Sequence, residues 1–365
     1  MDERTALYLL YSSEELWTNT VSAMRTYAGS YEGALSVPPA AWRREGILRN
    51  SKKESAFASI IQNKQALLDK LKRYEATGIK MVTHLDESFP ERLRNIPDPP
   101  LLLWVLGDVP GDDIPSVSIV GARECSEYGT GVAEYIAKEL AEAGIQVVSG
   151  LAYGIDSAAG RGAVNAGGRS FAVLGTGVNN CYPKEMYPLY RNLINGHGGV
   201  ISEFMPGAPP LRQHFVMRNR IIAGFGDVLL VIEAKEKSGT SITVGYALDQ
   251  GKDIFALPGR ITDPLGYGCN RLLKDGAIPL TSPSDVLEYF GIGESGQMTL
   301  GLKDLSSLSP KEKIVWDNLS VDPRHIEDVA LRSGMPLQEV LALLYRLEHK
   351  AFVTATGSAY WARRM

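Results

Sequence analysis

The chain has 365 residues, 44% hydrophobic and 22% charged, with a net charge of −4, which suits an ordinary globular protein of two or three domains. That weakly anionic mean field repels nucleic acid, so any such binding needs a local basic groove. Cys125, Cys181 and Cys269 are odd in number and lack CxxC spacing, which argues against zinc or disulfides. The acidic start Met1-Asp2-Glu3 and the lack of a membrane-length apolar run point to a soluble cytoplasmic protein.

Residues 1–75 read as a bundle of short helices. Leu7, Leu9, Leu10, Leu16, Trp17, Val21 and Met24, then Phe57, Ile60, Leu67, Leu68 and Leu71, recur at helical spacing between Gly and Pro punctuation. From 76 to 290 apolar runs alternate with helical patterns. Strands are expected at 79–83, 101–106, 117–120, 146–149, 170–174, 200–202, 228–233 and 254–257, with helices at 128–143, 155–166 and 242–249. Such alternation means a parallel, doubly wound α/β sheet. A polar stretch beginning Gly291-Ile292-Gly293-Glu294-Ser295-Gly296 reads as a linker over 291–307. Residues 308–365 follow a helix-turn-helix plan. Ile326, Val329 and Leu331 mark one helix, Ser333-Gly334-Met335-Pro336 a turn, and Val340, Leu341, Leu344 and Leu347 the next, before a hairpin at 351–362. Its second helix is of mixed charge, which favours a protein-contact or structural role over reading duplex DNA.

In a doubly wound sheet, ligands bind beyond the carboxyl ends of the strands. Four such ends here run into glycines: Gly121-Ala122-Arg123, Gly150, Gly175-Thr176-Gly177 and Pro258-Gly259-Arg260. Glycine there lets a ligand approach the backbone. A dinucleotide does not fit, because Arg123 replaces the glycine that must admit a pyrophosphate, and Tyr182-Pro183 stops a helix rather than opening one. There is no Walker A sequence, no HExxH and no GxSxG elbow, so no cofactor or metal is expected. Asp156, Glu203 and Glu233 stand at strand ends. A role as caps or as partners of arginines is preferred over acid catalysis.

The densest chemistry lies at His214-Phe215-Val216-Met217-Arg218-Asn219-Arg220, followed by Ser238-Gly239-Thr240. Arginine offers a planar fork of donors to phosphate, and a Ser-Gly-Thr turn at a helix start offers N–H groups and hydroxyls to an anion. His214 beside them reads as support for phosphate or loop packing.

These motifs occur in the order of a known family. Ser118-Ile119-Val120-Gly121-Ala122-Arg123, Ser149-Gly150-Leu151-Ala152-Tyr153-Gly154-Ile155-Asp156, Leu174-Gly175-Thr176-Gly177, Tyr182-Pro183-Lys184, Arg218-Asn219-Arg220-Ile221-Ile222-Ala223-Gly224, Ser238-Gly239-Thr240 and Leu257-Pro258-Gly259 carry the likeness. The chain closely resembles the bacterial DNA-processing DprA (Smf) family over essentially its whole length. Two departures are Gly160, where the family usually has histidine, and Met186, where asparagine is common.

The resemblance implies a sterile-alpha-motif-like domain at 1–75, an extended Rossmann-like domain at 76–290, a linker at 291–307 and a winged-helix-like domain at 308–365. It implies a non-enzymatic protein that binds and protects incoming single-stranded DNA and loads RecA recombinase onto it during natural transformation. It also implies a homodimer through the Rossmann domain; Leu272, Leu273 and Ile278 serve that or core closure equally well. Arg123 would take a phosphate by a bidentate contact. Lys184, Arg212, Arg218 and Arg220 would continue the track, with Gly121 and Asn219 beside it, and Ser238, Gly239 and Thr240 would hold another phosphate. Phe215 is either a base-stacking platform or core. A rival reading is a phosphoribohydrolase-like enzyme acting on nucleotide derivatives, but Thr243 stands where its catalytic glutamate would be.

Overall fold

The computed structural model describes residues 1–236, 238–292, 308–320, 323–350, 352–357 and 359–363. Most of the linker, Lys237, Ser358 and Arg364 thus lie outside the described residues.

Six helices open the chain: α1 Glu3–Tyr11, α2 Thr18–Ala28, α3 Tyr31–Ser36, α4 Pro39–Arg44, α5 Ser51–Gln62 and α6 Lys64–Ala76. Local chemistry fixes their starts. Asp2, Ser30 and Asn50 each accept a first-turn N–H, worth about 1 kcal/mol per cap. Their apolar faces do not close on themselves. Leu7, Leu10, Trp42 and Leu71 share one core with Met81, Leu102 and Trp104 of the neighbouring sheet. The boundary expected near 75 therefore falls inside continuous packing.

Next in order come β1 Lys80–Thr83, α7 Glu91–Arg94, β2 Leu102–Gly107, β3 Ser116–Val120, α8 Glu127–Glu142, β4 Gln146–Ser149, α9 Ile155–Asn165, β5 Ser170–Val173 and α10 Tyr187–Ile194. They are followed by β6 Gly198–Ser202, α11 Arg212–Phe225, β7 Val228–Val231, α12 Thr240–Asp249, β8 Asp253–Ala256, α13 Tyr267–Lys274, β9 Ile278–Pro279 and α14 Pro283–Tyr289. One nine-stranded sheet forms with order β1-β2-β6-β5-β4-β3-β7-β8-β9.

The run from β6 to β9 is parallel, as the alternation requires, whereas β1 pairs with β2, and β2 with β6, antiparallel. A buried apolar run looks the same in either direction. The connection sets the direction, and 84–101 holds only the four-residue α7, not a full crossover helix.

Successive residues of β3 feed opposite layers, as strand geometry demands. Ile119 packs with α8 and α9 residues such as Ile136 and Ala158. Val120 packs with Ile221, Ile222 and Phe225 of α11. Buried Ser118 donates from Oγ to the Ile222 carbonyl at 2.6 Å, pinning α11 to the sheet.

The C-terminal unit comprises α15 Pro310–Asp317, β10 Arg324–His325, α16 Ile326–Ser333, α17 Leu337–His349, β11 Val353–Gly357 and β12 Tyr360–Arg363. Val329, Val340, Leu344, Leu347 and Trp361 belong to its own core. Gly334 ends α16 at φ 67°, a left-handed cap suited to glycine. The sheet order β10-β12-β11 adds a short strand to the expected hairpin.

Candidate nucleic-acid interface

The arginine-rich run is not a short loop segment but the body of α11, a 14-residue helix. Helical spacing sorts its side chains: His214, Arg218, Ile221, Ile222 and Phe225 turn inward, while Arg212 and Val216 face solvent.

Arg220 corrects the expected phosphate track. It is 3% exposed, and its Nη2 donates to both Glu203 carboxylate oxygens at 2.6 Å. Asp98 Oδ2 lies 3.1 Å from its Nε. Burial opposes the charge, yet Glu203 and then Asp98 hold the Arg220 pKa above its usual value. Tyr11, from α1, donates its hydroxyl to Glu203 at 2.9 Å. Burial, then the Glu203 charge, raises the Tyr11 pKa well above normal, so it keeps its proton. This pair ties the N-terminal helices to α11 and cannot reach a phosphate.

Arg218 is also turned inward, at 3% exposure. Its Nη1 donates to the Gly150 carbonyl at 2.9 Å and to that of Val173. Its Nε donates to Asn219 Oδ1 at 3.2 Å. Burial lowers its pKa to about 10, against the pull of Asp156, and Arg123 adds to the lowering. Burial raises the Asp156 pKa in turn, against Arg218 and the backbone N–H bonds. Arg218 thus props the rim from beneath.

His214 is fully buried. Its ring stacks on Phe204 at 3.9 Å and meets the edge of Trp17 at 6.3 Å. Neither nitrogen finds a hydrogen-bond partner among the described residues. Packing, not phosphate, is its surroundings.

The rim glycines are filled in as well. A Cβ on Gly121 would sit 2.6 Å from Ile155, one on Gly150 2.6 Å from Asp156, and one on Gly175 2.7 Å from the Phe215 ring. Their missing side chains admit this protein's own groups, where a ligand was expected. Gly160 lies where a Cβ would be 3.0 Å from the Leu189 side chain, so a histidine there would require Leu189 to shift.

What remains in solvent is Arg123 after β3, Lys184 after β5, and Arg212 at the start of α11, all exposed. None has an ion-pair partner among the described residues. Arg123 lies over the half-buried Phe215 ring at 5.6 Å, with Arg218 at 5.8 Å. Tyr182 tilts against the same ring at 5.7 Å.

Arg212 also lines a cleft of about 670 Å³ with Ser238, Gly239, Thr240 and Arg271. The adjacency expected between the Arg218-Asn219-Arg220 run and the Ser-Gly-Thr turn is thus made by Arg212 instead, since Arg218 and Arg220 are buried. Gly239 caps α12. The N–H groups of Ser241 and Ile242 turn back to the carbonyls of Ser238 and Gly239. Ser238 Oγ has no hydrogen-bond partner among the described residues, while Thr240 is buried.

Glu233 accepts from Ser126 N at 2.9 Å and from Ser126 Oγ at 2.5 Å, fixing the start of α8. Glu203 and Asp156 are engaged as described, so each carboxylate has the structural role preferred from sequence. Thr243, at the hydrolase glutamate's place, is 3% exposed. Tyr153, Tyr182 and Arg271 escaped the sequence reading. Both tyrosines stand within family motifs, but nothing local in the sequence marks their rings as exposed.

Among the described residues no His, Cys, Asp and Glu group could hold a metal, and no helix is long and apolar enough to cross a membrane.

The family model for DNA recombination-mediator protein A matches residues 80–291, and that for the DprA winged helix domain matches residues 303–355. A DNA processing protein DprA of Streptococcus pneumoniae is 44% identical over 206 residues, spanning 56% of this chain and 72% of that protein. The X-ray structure of S. pneumoniae DNA processing protein A superposes with a TM-score of 0.67 at 33% identity, covering 79% of this chain and 98% of that one. The Helicobacter pylori DNA processing protein A structure, described for its single-stranded DNA binding mode, gives 0.51 at 26% identity, covering 58% and 95%.

Proposed function

The chain belongs to the DNA recombination-mediator protein A family, and from that premise we propose that it binds single-stranded DNA along the sheet rim without breaking bonds. The observation that carries the reading is Arg123, an exposed guanidinium without an ion pair among the described residues, laid over Phe215. A cation without an ion-pair partner among the described residues is available to phosphate, and the ring beside it offers a stacking face. Arg212 and Ser238–Gly239–Thr240 extend the contact across the cleft, and Lys184 extends it the other way. Arg218, Asn219, Arg220, His214 and Gly121 hold this surface in place.

Within the working division 1–75, 76–290, 291–307 and 308–365, the helices brace α11 and the sheet carries the strand. The C-terminal unit makes protein contacts. In the cytoplasm, a homodimer formed through 76–290 would shield incoming DNA during transformation and hand it to a RecA-type recombinase. The test is a titration of labelled oligonucleotide at several salt concentrations, beside a recombinase-loading assay on the coated strand and a solution mass measurement. Salt-independent binding, or none, refutes the groove.

A further inference from the structure

We propose that Tyr182 and Tyr153 form a second stacking platform for the bases of unpaired DNA, prolonging the track beyond Phe215. The inference rests on the single-strand reading above and adds a subsite to it. Tyr182 is 44% exposed and Tyr153 43%, large rings left in water at the carboxyl end of the sheet.

Their surroundings hold them in place. Tyr153 follows β4 and donates its hydroxyl to Glu185 at 2.6 Å, which bridges two rim loops. That hydrogen bond, then burial and the Glu185 charge, raises the Tyr153 pKa, and Tyr182 lies near enough to add to the shift. Tyr182 rests on Phe215 at 5.7 Å, with the planes inclined at 46°, and Arg123 lies over the Phe215 ring of that pair, while the Tyr153–Glu185 hydrogen bond brings Tyr153 to the loop that carries Tyr182.

Aromatic rings interleaved with unpaired cations form the pattern that tracks a single strand: the cations take the backbone and every base has a face to stack. A protein-docking patch shares the aromatics and the arginine but is depleted in lysine, and Lys184 stands exposed two residues from Tyr182. Tethering Tyr153 through its hydroxyl leaves its ring free while reducing the entropy lost when a base lands on it.

The experiment compares full-length wild type, Tyr182→Leu, Tyr153→Leu and Arg123→Ala on oligo-dT and on an abasic strand of equal length. Stacking predicts that each tyrosine variant binds oligo-dT about tenfold more weakly, with abasic binding and salt slope unchanged. Arg123→Ala should weaken binding to both strands. If both tyrosine variants match wild type on oligo-dT while Arg123→Ala is weakened, the platform is wrong and the groove stands. If they lose only self-association or recombinase binding, the surface is a protein interface and the proposal is overturned. Failure of wild type to bind either strand removes the groove and the platform together.

Discussion

Arg123 and Arg212 stand in solvent at the rim, whereas Arg218 and Arg220, in the body of α11, are each only 3% exposed. All four were expected on one phosphate track and have the same guanidinium chemistry. The difference is what each finds nearby. Arg220 meets Glu203 and Asp98, and Arg218 meets two carbonyls and the field of Asp156. A buried guanidinium persists only where such groups replace its water. Arg123 has an aromatic face instead, which leaves its donors free for an external anion. The role of an arginine is therefore settled by its nearest anion rather than by its motif.

The comparison breaks most severely at the buried pair. Glu203→Ala should cost about 3–5 kcal/mol in denaturant unfolding, because Arg220 stays buried with a weakened set of partners. Replacing both, Glu203→Leu with Arg220→Met, should recover most of the loss. A cost below about 1 kcal/mol for the single change would mean that Arg220 is hydrated. Tyr11→Phe should cost about 1.5–3 kcal/mol by removing a hydrogen bond to a charged group. Its DNA affinity, measured where the protein stays folded, should be unchanged.

At the rim the pattern reverses. Arg123→Ala should weaken single-strand binding about tenfold with an unchanged melting temperature. The slope of log affinity against log salt should become shallower by about 0.7. A fall in melting temperature of several degrees would place Arg123 with the buried class.

The smallest effect concerns Glu312. Its pKa is lowered from 4.5, first by the Ser309 N–H and, against burial, by Lys350. Lys350 donates to it at 2.9 Å. A lowered folded pKa means stability that is present above 4.5 and lost as pH falls through the folded value. Amide protection across α15 should therefore drop below that pH, corrected for intrinsic exchange. Glu312→Gln should flatten the dependence, at a cost of about 1 kcal/mol near neutrality.

Some elements were legible to the residue. Strand β4 runs over Gln146–Ser149 as read, because a short apolar run stopped by glycine admits few alternatives. The winged unit was legible too, through its left-handed Gly334 and its periodic leucines. The helical nature of α11 was not, since arginines and a histidine interrupt the inward face that periodicity looks for. The antiparallel β1 and β2 were equally hidden. At the site, neither the nearness of Arg212 to Ser238 nor that of Tyr182 to Phe215 was readable, because each pair joins helix α11 to a loop distant in sequence.

Sequence alone determined the alternation of strands and helices, the glycine-lined rim and the two-helix plan of the last domain, because these follow from local periodicity and turn chemistry. Which cations meet solvent was decided only by tertiary structure. The carboxylate that claims Arg220 lies 17 residues away, and the hydroxyl that secures that carboxylate lies 192 residues from it. Charge pairing at such separations depends on the folded path of the chain, which no local pattern records.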